Sequence, residues 1–89
     1  GHPEKLRLQL QPNPADDHCI LGFQLPESAE GYSVHVRTLS GTEIWTENVT
    51  ENPLVAAHRL STADLPAGMY IVEVKSGGRS GISRLAVVH

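Results

Sequence analysis

Leu65-Pro66-Ala67-Gly68-Met69-Tyr70-Ile71-Val72-Glu73-Val74 decides the reading of this chain. A proline–glycine turn runs straight into a segment of alternating character, and successive strand side chains point to opposite faces. Tyr70, Val72 and Val74 therefore share one face, and Ile71, Glu73 and Lys75 share the other. A Leu-x-x-Gly-x-Tyr turn ahead of a late strand builds a tyrosine corner in many small β-sandwiches, with the phenol bonded back to the turn backbone. Gly68 suits such a turn, since positive φ costs a residue bearing Cβ about 1–2 kcal/mol. Taken alone, the stretch is core architecture.

The flanking sequence repeats the same pattern. Residues 5–11 alternate, with Leu6, Leu8 and Leu10 opposite Lys5, Arg7, Gln9 and Gln11, which predicts a half-buried strand. Pro12-Asn13-Pro14-Ala15-Asp16-Asp17 stops it, because prolines remove ladder donors and Asn and Asp favour turns. Residues 18–25 form a second predicted strand with Cys19, Leu21, Phe23 and Leu25 in phase. Gly22 in its middle signals a bulge or a closely approaching neighbour. Beyond a polar loop, Tyr32, Val34, Val36 and Thr38 share one face of a strand over 32–39. Ser40-Gly41 turns the chain, and residues 43–49 return with Ile44 and Trp45 before fraying toward Pro53. A weaker strand spans 54–60, and residues 69–75 and 82–88 supply two more. Ser76-Gly77-Gly78-Arg79-Ser80-Gly81 between them reads as a flexible hairpin loop. Seven short strands with turn signals every eight to twelve residues or so predict an all-β fold. The architecture expected is a seven-stranded antiparallel immunoglobulin/fibronectin-III-like β-sandwich, with a small barrel as the alternative.

The 89 residues form one domain, taken as residues 3–89, with Gly1-His2 read as a remnant of tag removal. A domain of this size buries only about 60–65% of its unfolded surface, so its stability margin is modest. Seven Lys and Arg against ten Asp and Glu give a formal charge of −3. No basic block is present, which argues against nucleic acid as a partner. Cys19 is the single cysteine, excluding an internal disulfide and a cysteine-built zinc site. Beside Ile20 and Leu21 it reads as a small buried hydrophobe. No apolar run approaches the roughly 18–20 residues of a membrane-spanning helix, and no signal peptide is visible. Any targeting segment would belong to a longer parent.

Chemistry finds little purchase. Asp16-Asp17-His18-Cys19 offers four metal-capable side chains, but alternation sends strand neighbours to opposite faces, so they cannot converge on one ion. His35 and His58 are expected to face solvent. Ser40 and Ser80 read as turn serines without an activating base. Glu47 and Glu51 read as solvated carboxylates rather than a glycosidase pair. Gly77-Gly78-Arg79-Ser80-Gly81 lacks the following helix that a phosphate loop needs. Trp45, with Tyr32 and Phe23, could form a sugar-stacking platform, but a core tryptophan is the expectation. The residues predict a non-catalytic β-sandwich with no cofactor.

Four stretches in order carry a family resemblance. Leu10-Gln11-Pro12-Asn13-Pro14-Ala15 resembles the early Pro-Asn-Pro motif of the type IX secretion system C-terminal sorting domain (type A) of Bacteroidetes. Val34 through Gly41 is similar to that family's strand ending in a glycine turn. Leu65, Gly68 and Tyr70 resemble its Leu-x-x-Gly-x-Tyr motif. Ser83-Arg84-Leu85-Ala86-Val87-Val88-His89 resembles its basic-then-aliphatic terminal strand. Thr42 departs from the Lys or Arg usual after the turn glycine, Arg84 replaces a frequent Lys, and Cys19 is not a family feature.

The resemblance implies a sorting signal, covalently preceded by a cargo domain, that an outer-membrane translocon recognises once folded. It also implies a sortase-like protease that commonly removes the domain, cutting before Leu6 or upstream of Gly1. The cargo would pass through the periplasm and end at the cell surface or outside. On this reading Pro12, Asn13 and Pro14 and the Gly68–Tyr70 stretch keep the sandwich, and Gly41 and Leu65 join Gly68 and Tyr70 in the sorting motif of turn and strand entry. Arg84, Leu85, Val87 and Val88 belong to the recognised terminal strand, whose end is expected to fray and offer backbone groups. An exposed edge would also permit a weak homodimer. Other readings of the same fold are a fibronectin-III-like or hook-cap-like accessory module and a carbohydrate-binding module.

Overall fold

The computed structural model describes residues 5–89; the proposed tag remnant and the start of the domain lie outside them. Seven strands follow in order: β1 (Gln9–Gln11), β2 (His18–Gln24), β3 (Tyr32–Thr38), β4 (Glu43–Val49), β5 (Val55–Ser61), β6 (Gly68–Ser76) and β7 (Arg79–Val87). All strand pairings are antiparallel, in two sheets ordered β1-β2-β5 and β4-β3-β6-β7. The described residues contain no helix. The result is the β-sandwich that the alternating pattern dictates.

Alternation also selects the core. Cys19, Leu21 and Phe23 of β2 face Val34 and Val36 of β3, Tyr70, Val72 and Val74 of β6, and Leu85 and Val87 of β7, all buried. Phe23 meets Tyr32 edge-on, with ring centroids 4.8 Å apart, an arrangement that the ring quadrupoles favour. The thiol of Cys19 has its pKa raised, chiefly by burial.

The structure corrects the sequence reading at several places. Residues 5–11 do not form one strand: Leu6 N–H bonds to the Ser80 carbonyl on β7, and only Gln9–Gln11 pair with β2. Residues 76–81 are not a loop either. Ser76 pairs with Arg79, so Gly77-Gly78 alone make the turn, with Gly77 at φ 59°. A two-residue hairpin link favours that left-handed backbone, which glycine adopts without strain. Gly22 sits in regular register between Gln9 and Ala57, with neither bulge nor tight contact. The register shift falls instead between Val36 and Arg37 on β3.

Trp45 is not a core residue. Its partner Val36 is buried, but Trp45 itself is 50% exposed. It lies on the outermost strand of the four-stranded sheet, where the opposing three-stranded sheet gives it little cover. His35 and His58, expected in solvent, are mostly enclosed, with side chains 16% and 9% exposed. Their partners belong to the site below.

Gly81 shows what the sheet change requires. A Cβ there would run into the backbone carbonyl of Leu6, which packs directly against it. Gly81→Ala should therefore push residues 5–6 off β7 and cost about 1–3 kcal/mol. In a domain this small that is a fall in thermal midpoint of roughly 5–20 °C, measurable by circular dichroism. An unchanged midpoint would show that the contact of residues 5–6 with β7 contributes nothing to stability.

Candidate functional site

The early Pro-Asn-Pro turn and the terminal strand lie against each other. Asn13 Nδ2 donates to the Arg84 carbonyl at 2.9 Å, and Asn13 Oδ1 accepts from Ala86 N–H at 3.0 Å. Next along, Ala15 N–H bonds to the Ala86 carbonyl and Val88 N–H to the Ala15 carbonyl, each at 2.8 Å. Pro12 and Pro14 flank Asn13, each following a cis peptide bond. Proline suits these positions because neither has an N–H that would need a ladder partner. With Leu6 on Ser80, the N-terminal segment covers both ends of the outer edge of β7. These bonds reach alternate residues, Ser80, Arg84, Ala86 and Val88, so among the described residues Ile82 alone keeps both backbone groups on the uncovered stretch.

The turn ahead of β6 closes on the same corner. Tyr70 Oη donates to the Pro66 carbonyl, completing the expected tyrosine corner. Gly68 has φ 155°, so a side chain there would be strained. Gly41 sits in the turn between β3 and β4 at φ 97°, donating to the Thr38 carbonyl. Leu65 is half-buried against the core, and its carbonyl lies 2.7 Å from His89 Nε2. His89 Nδ1 is 2.8 Å from Asp16 Oδ1. The end of the terminal strand is therefore pinned rather than frayed.

The terminal residues divide by burial. Leu85 and Val87 are 0% and 1% exposed and face the core. Ile82, Arg84, Ala86 and Val88 lie on the outer face, where Ile82 and Val88 are 60% and 51% exposed. On the same face Arg37 Nη2 donates to Glu73 Oε1 at 2.6 Å, with Lys75 Nζ 3.9 Å from the same oxygen. Glu73 is thereby buried on a nominally solvent-facing surface, with its charge compensated.

Two further polar clusters were not legible from spacing. His58 bridges the sheets, with Nδ1 2.9 Å from Tyr32 Oη and Nε2 3.2 Å from Glu47 Oε1. Glu47 is therefore a pairing partner rather than a merely solvated carboxylate. Burial, followed by the charges of Glu47 and Glu51, raises the Tyr32 pKa. On β3, Ser33 Oγ lies 2.8 Å from His35 Nε2, and His35 Nδ1 lies 2.6 Å from Glu43 Oε1. That is the connectivity of a hydrolase triad. However, β3 is laddered on both sides, so its amides cannot converge beside Ser33 as an oxyanion site. The trio instead staples the β3–β4 hairpin, with the Glu43 pKa lowered mainly by its bond to His35. Ser80, expected in a turn, is a strand residue paired with Lys75.

The Asp16–Cys19 run disperses: Asp16 joins His89, Asp17 joins His18 at 2.7 Å, and Cys19 is buried. Among the described residues, no group of three or more His, Cys, Asp or Glu is placed to hold a metal ion.

Fold and site thus define a small β-sandwich whose polar side chains fasten strand to strand, one set of them along its last strand. The chain belongs to the family of secretion system C-terminal sorting domains, matching it over residues 9–88. It is accordingly a sorting signal of type IX secretion, carried by a secreted or cell-surface protein. None of the curated proteins compared with the chain matches it.

Asn13→Ala should expose the Arg84 carbonyl and Ala86 N–H to solvent, costing about 1–2 kcal/mol. Amide exchange should accelerate at Ala86 more than at Val72; equal acceleration would refute a local latch. The His89 pKa is raised, first by the bond to Asp16 and then by the Leu65 carbonyl. A raised folded pKa means the latch contributes fully below the unfolded value, near 6.5, and fades as pH rises through the folded one. The stability difference between wild type and His89→Gln should therefore shrink from pH 6 to pH 9, as followed by denaturant midpoints. A difference that stays constant across that range would remove the ionic contribution.

Proposed function

We propose that the outer-membrane translocon reads this domain in its folded form, through the outward face of the terminal strand. The recognised element is residues 82–89, with Arg84 and Val88 in direct contact and Leu85 and Val87 holding the strand from inside. Pro12, Asn13, Pro14, Gly41, Leu65, Gly68 and Tyr70 act as positioning residues. The domain follows a cargo, crosses the periplasm with it, and is cut away by a sortase-like protease ahead of residue 6. The observation that carries this reading is the latch that joins residues 13–16, 65–70 and 84–89 in one corner. Recognition of an assembled corner requires the fold, whereas a linear peptide signal would not.

Half-exposed Trp45 favours a second reading, a glycan-binding module. That reading requires measurable glycan affinity lost in Trp45→Ala.

Secretion of a periplasmic reporter fused to residues 3–89, in a host with the type IX system, tests the first. Arg84→Glu should cut secretion at least about tenfold with an unchanged thermal midpoint, as expected when a charge is reversed in an interface. Tyr70→Ala should reduce secretion only in proportion to lost stability. Secretion that survives deletion of residues 84–89 would overturn the proposal. Full stability with lost secretion in Tyr70→Ala would make Tyr70 a contact residue instead.

A further inference from the structure

Between Leu6 and Gln9 the chain leaves β7 for β2, and the change of sheet opens a wedge. Leu6 N–H is bonded to Ser80, whereas Gln9 already pairs with Gly22. One step further, the same register would set Arg7 against Gln24, but the strands have parted there. Leu25 N–H bonds to Leu54 and Thr62 N–H to Asp17, so odd residues of β2 turn their backbone groups toward β5. Gln24 consequently points its N–H and C=O into the gap.

The gap is an open groove of about 610 Å³, within the roughly 300–1,000 Å³ of small-molecule sites. Its floor is apolar, formed by Leu6, Phe23 and Leu25 at the margin of the core. Its rim carries Lys5, Arg7 and Arg79, three of the seven Lys and Arg in the chain. No Asp or Glu among the described residues lines it, although acids outnumber bases overall. Gln9 and Gln24 add side-chain amides.

We infer that this groove binds a small amphipathic anion, a phosphate or carboxylate carried on an apolar or aromatic body. The anionic head meets Lys5 and Arg7, whose guanidinium can donate to two oxygens at once. The Gln24 N–H supplies a further donor, and the body rests on Phe23 and Leu25. The site lies away from the corner formed by Asn13, Tyr70 and Arg84, so its occupancy is separable from sorting.

Titrating the isotope-labelled chain with phenyl phosphate and following its amide resonances tests this. Saturable shifts are expected at Arg7, Gln9, Gln24 and Ala56. Phenol should produce none, and benzoate should move the same amides. The Lys5→Gln/Arg7→Gln variant should bind about tenfold more weakly, as expected for the loss of two exposed charge-assisted contacts. Both residues are exposed, and an unchanged thermal midpoint verifies the fold. Arg59→Gln, on the far end of β5, should bind like wild type. Equal shifts around Arg59 and Arg84, undiminished binding in the double variant, or phenol binding as well as phenyl phosphate would each overturn the inference.

Discussion

The side-chain amide of Asn13 occupies the place of a strand residue beside β7, donating to Arg84 and accepting from Ala86. The cover over the outer edge of β7 is built around that contact and the backbone bonds beside it. β7 is the last strand of its sheet, and an open strand edge attracts unwanted pairing. The N-terminal segment protects it in two pieces, through Leu6 at one end and residues 13–15 at the other. Between these pieces it crosses to β2 and adds β1 to the opposite sheet. One segment thus joins the two sheets at this margin and shields β7. Individual hydrogen bonds of this kind contribute only about 0.5–1.5 kcal/mol, so it is their concentration on one edge that holds the segment in place.

Strand identity was readable because period two leaves little freedom: slipping Tyr70, Val72 and Val74 by one residue would turn all three toward water. The tyrosine corner was readable for a related reason, since turn and strand lie in one short run. Residues 5–11 show where this logic ends. Leu6, Leu8 and Leu10 do face inward, but alternation says which way a side chain points and not which neighbour its backbone joins. Trp45 fails differently. It does share a face with Val36, and only the unequal widths of the two sheets leave it exposed. The enclosed histidines were hidden because their partners, Glu47 beside His58 and Glu43 beside His35, arrive from other strands. Motif resemblance marked both halves of the latch without revealing that they touch.

Carboxylates partner each described histidine: Asp17 with His18, Glu43 with His35, Glu47 with His58 and Asp16 with His89. None of these residues belongs to the buried aliphatic cluster. The aliphatic core sets the architecture, while imidazole–carboxylate contacts fix hairpins and ends that so small a core cannot reach. Glu73, held by Arg37 and Lys75, plays the same part on the outer face.

The latch also imposes an order in time. Asn13 is separated from Arg84 by 71 positions and Asp16 from His89 by 73, so nearly the whole chain must exist before either contact can form. Contacts of such long range come late, because the entropy of closing the intervening loop precedes any gain. A chain that broke off before Arg79 would still contain the Pro-Asn-Pro turn and all of β6. It would have nothing for Asn13 to hold. The folded corner is therefore a certificate that β7 has been made: a system that reads it inspects, in a single contact, whether synthesis has passed Arg84.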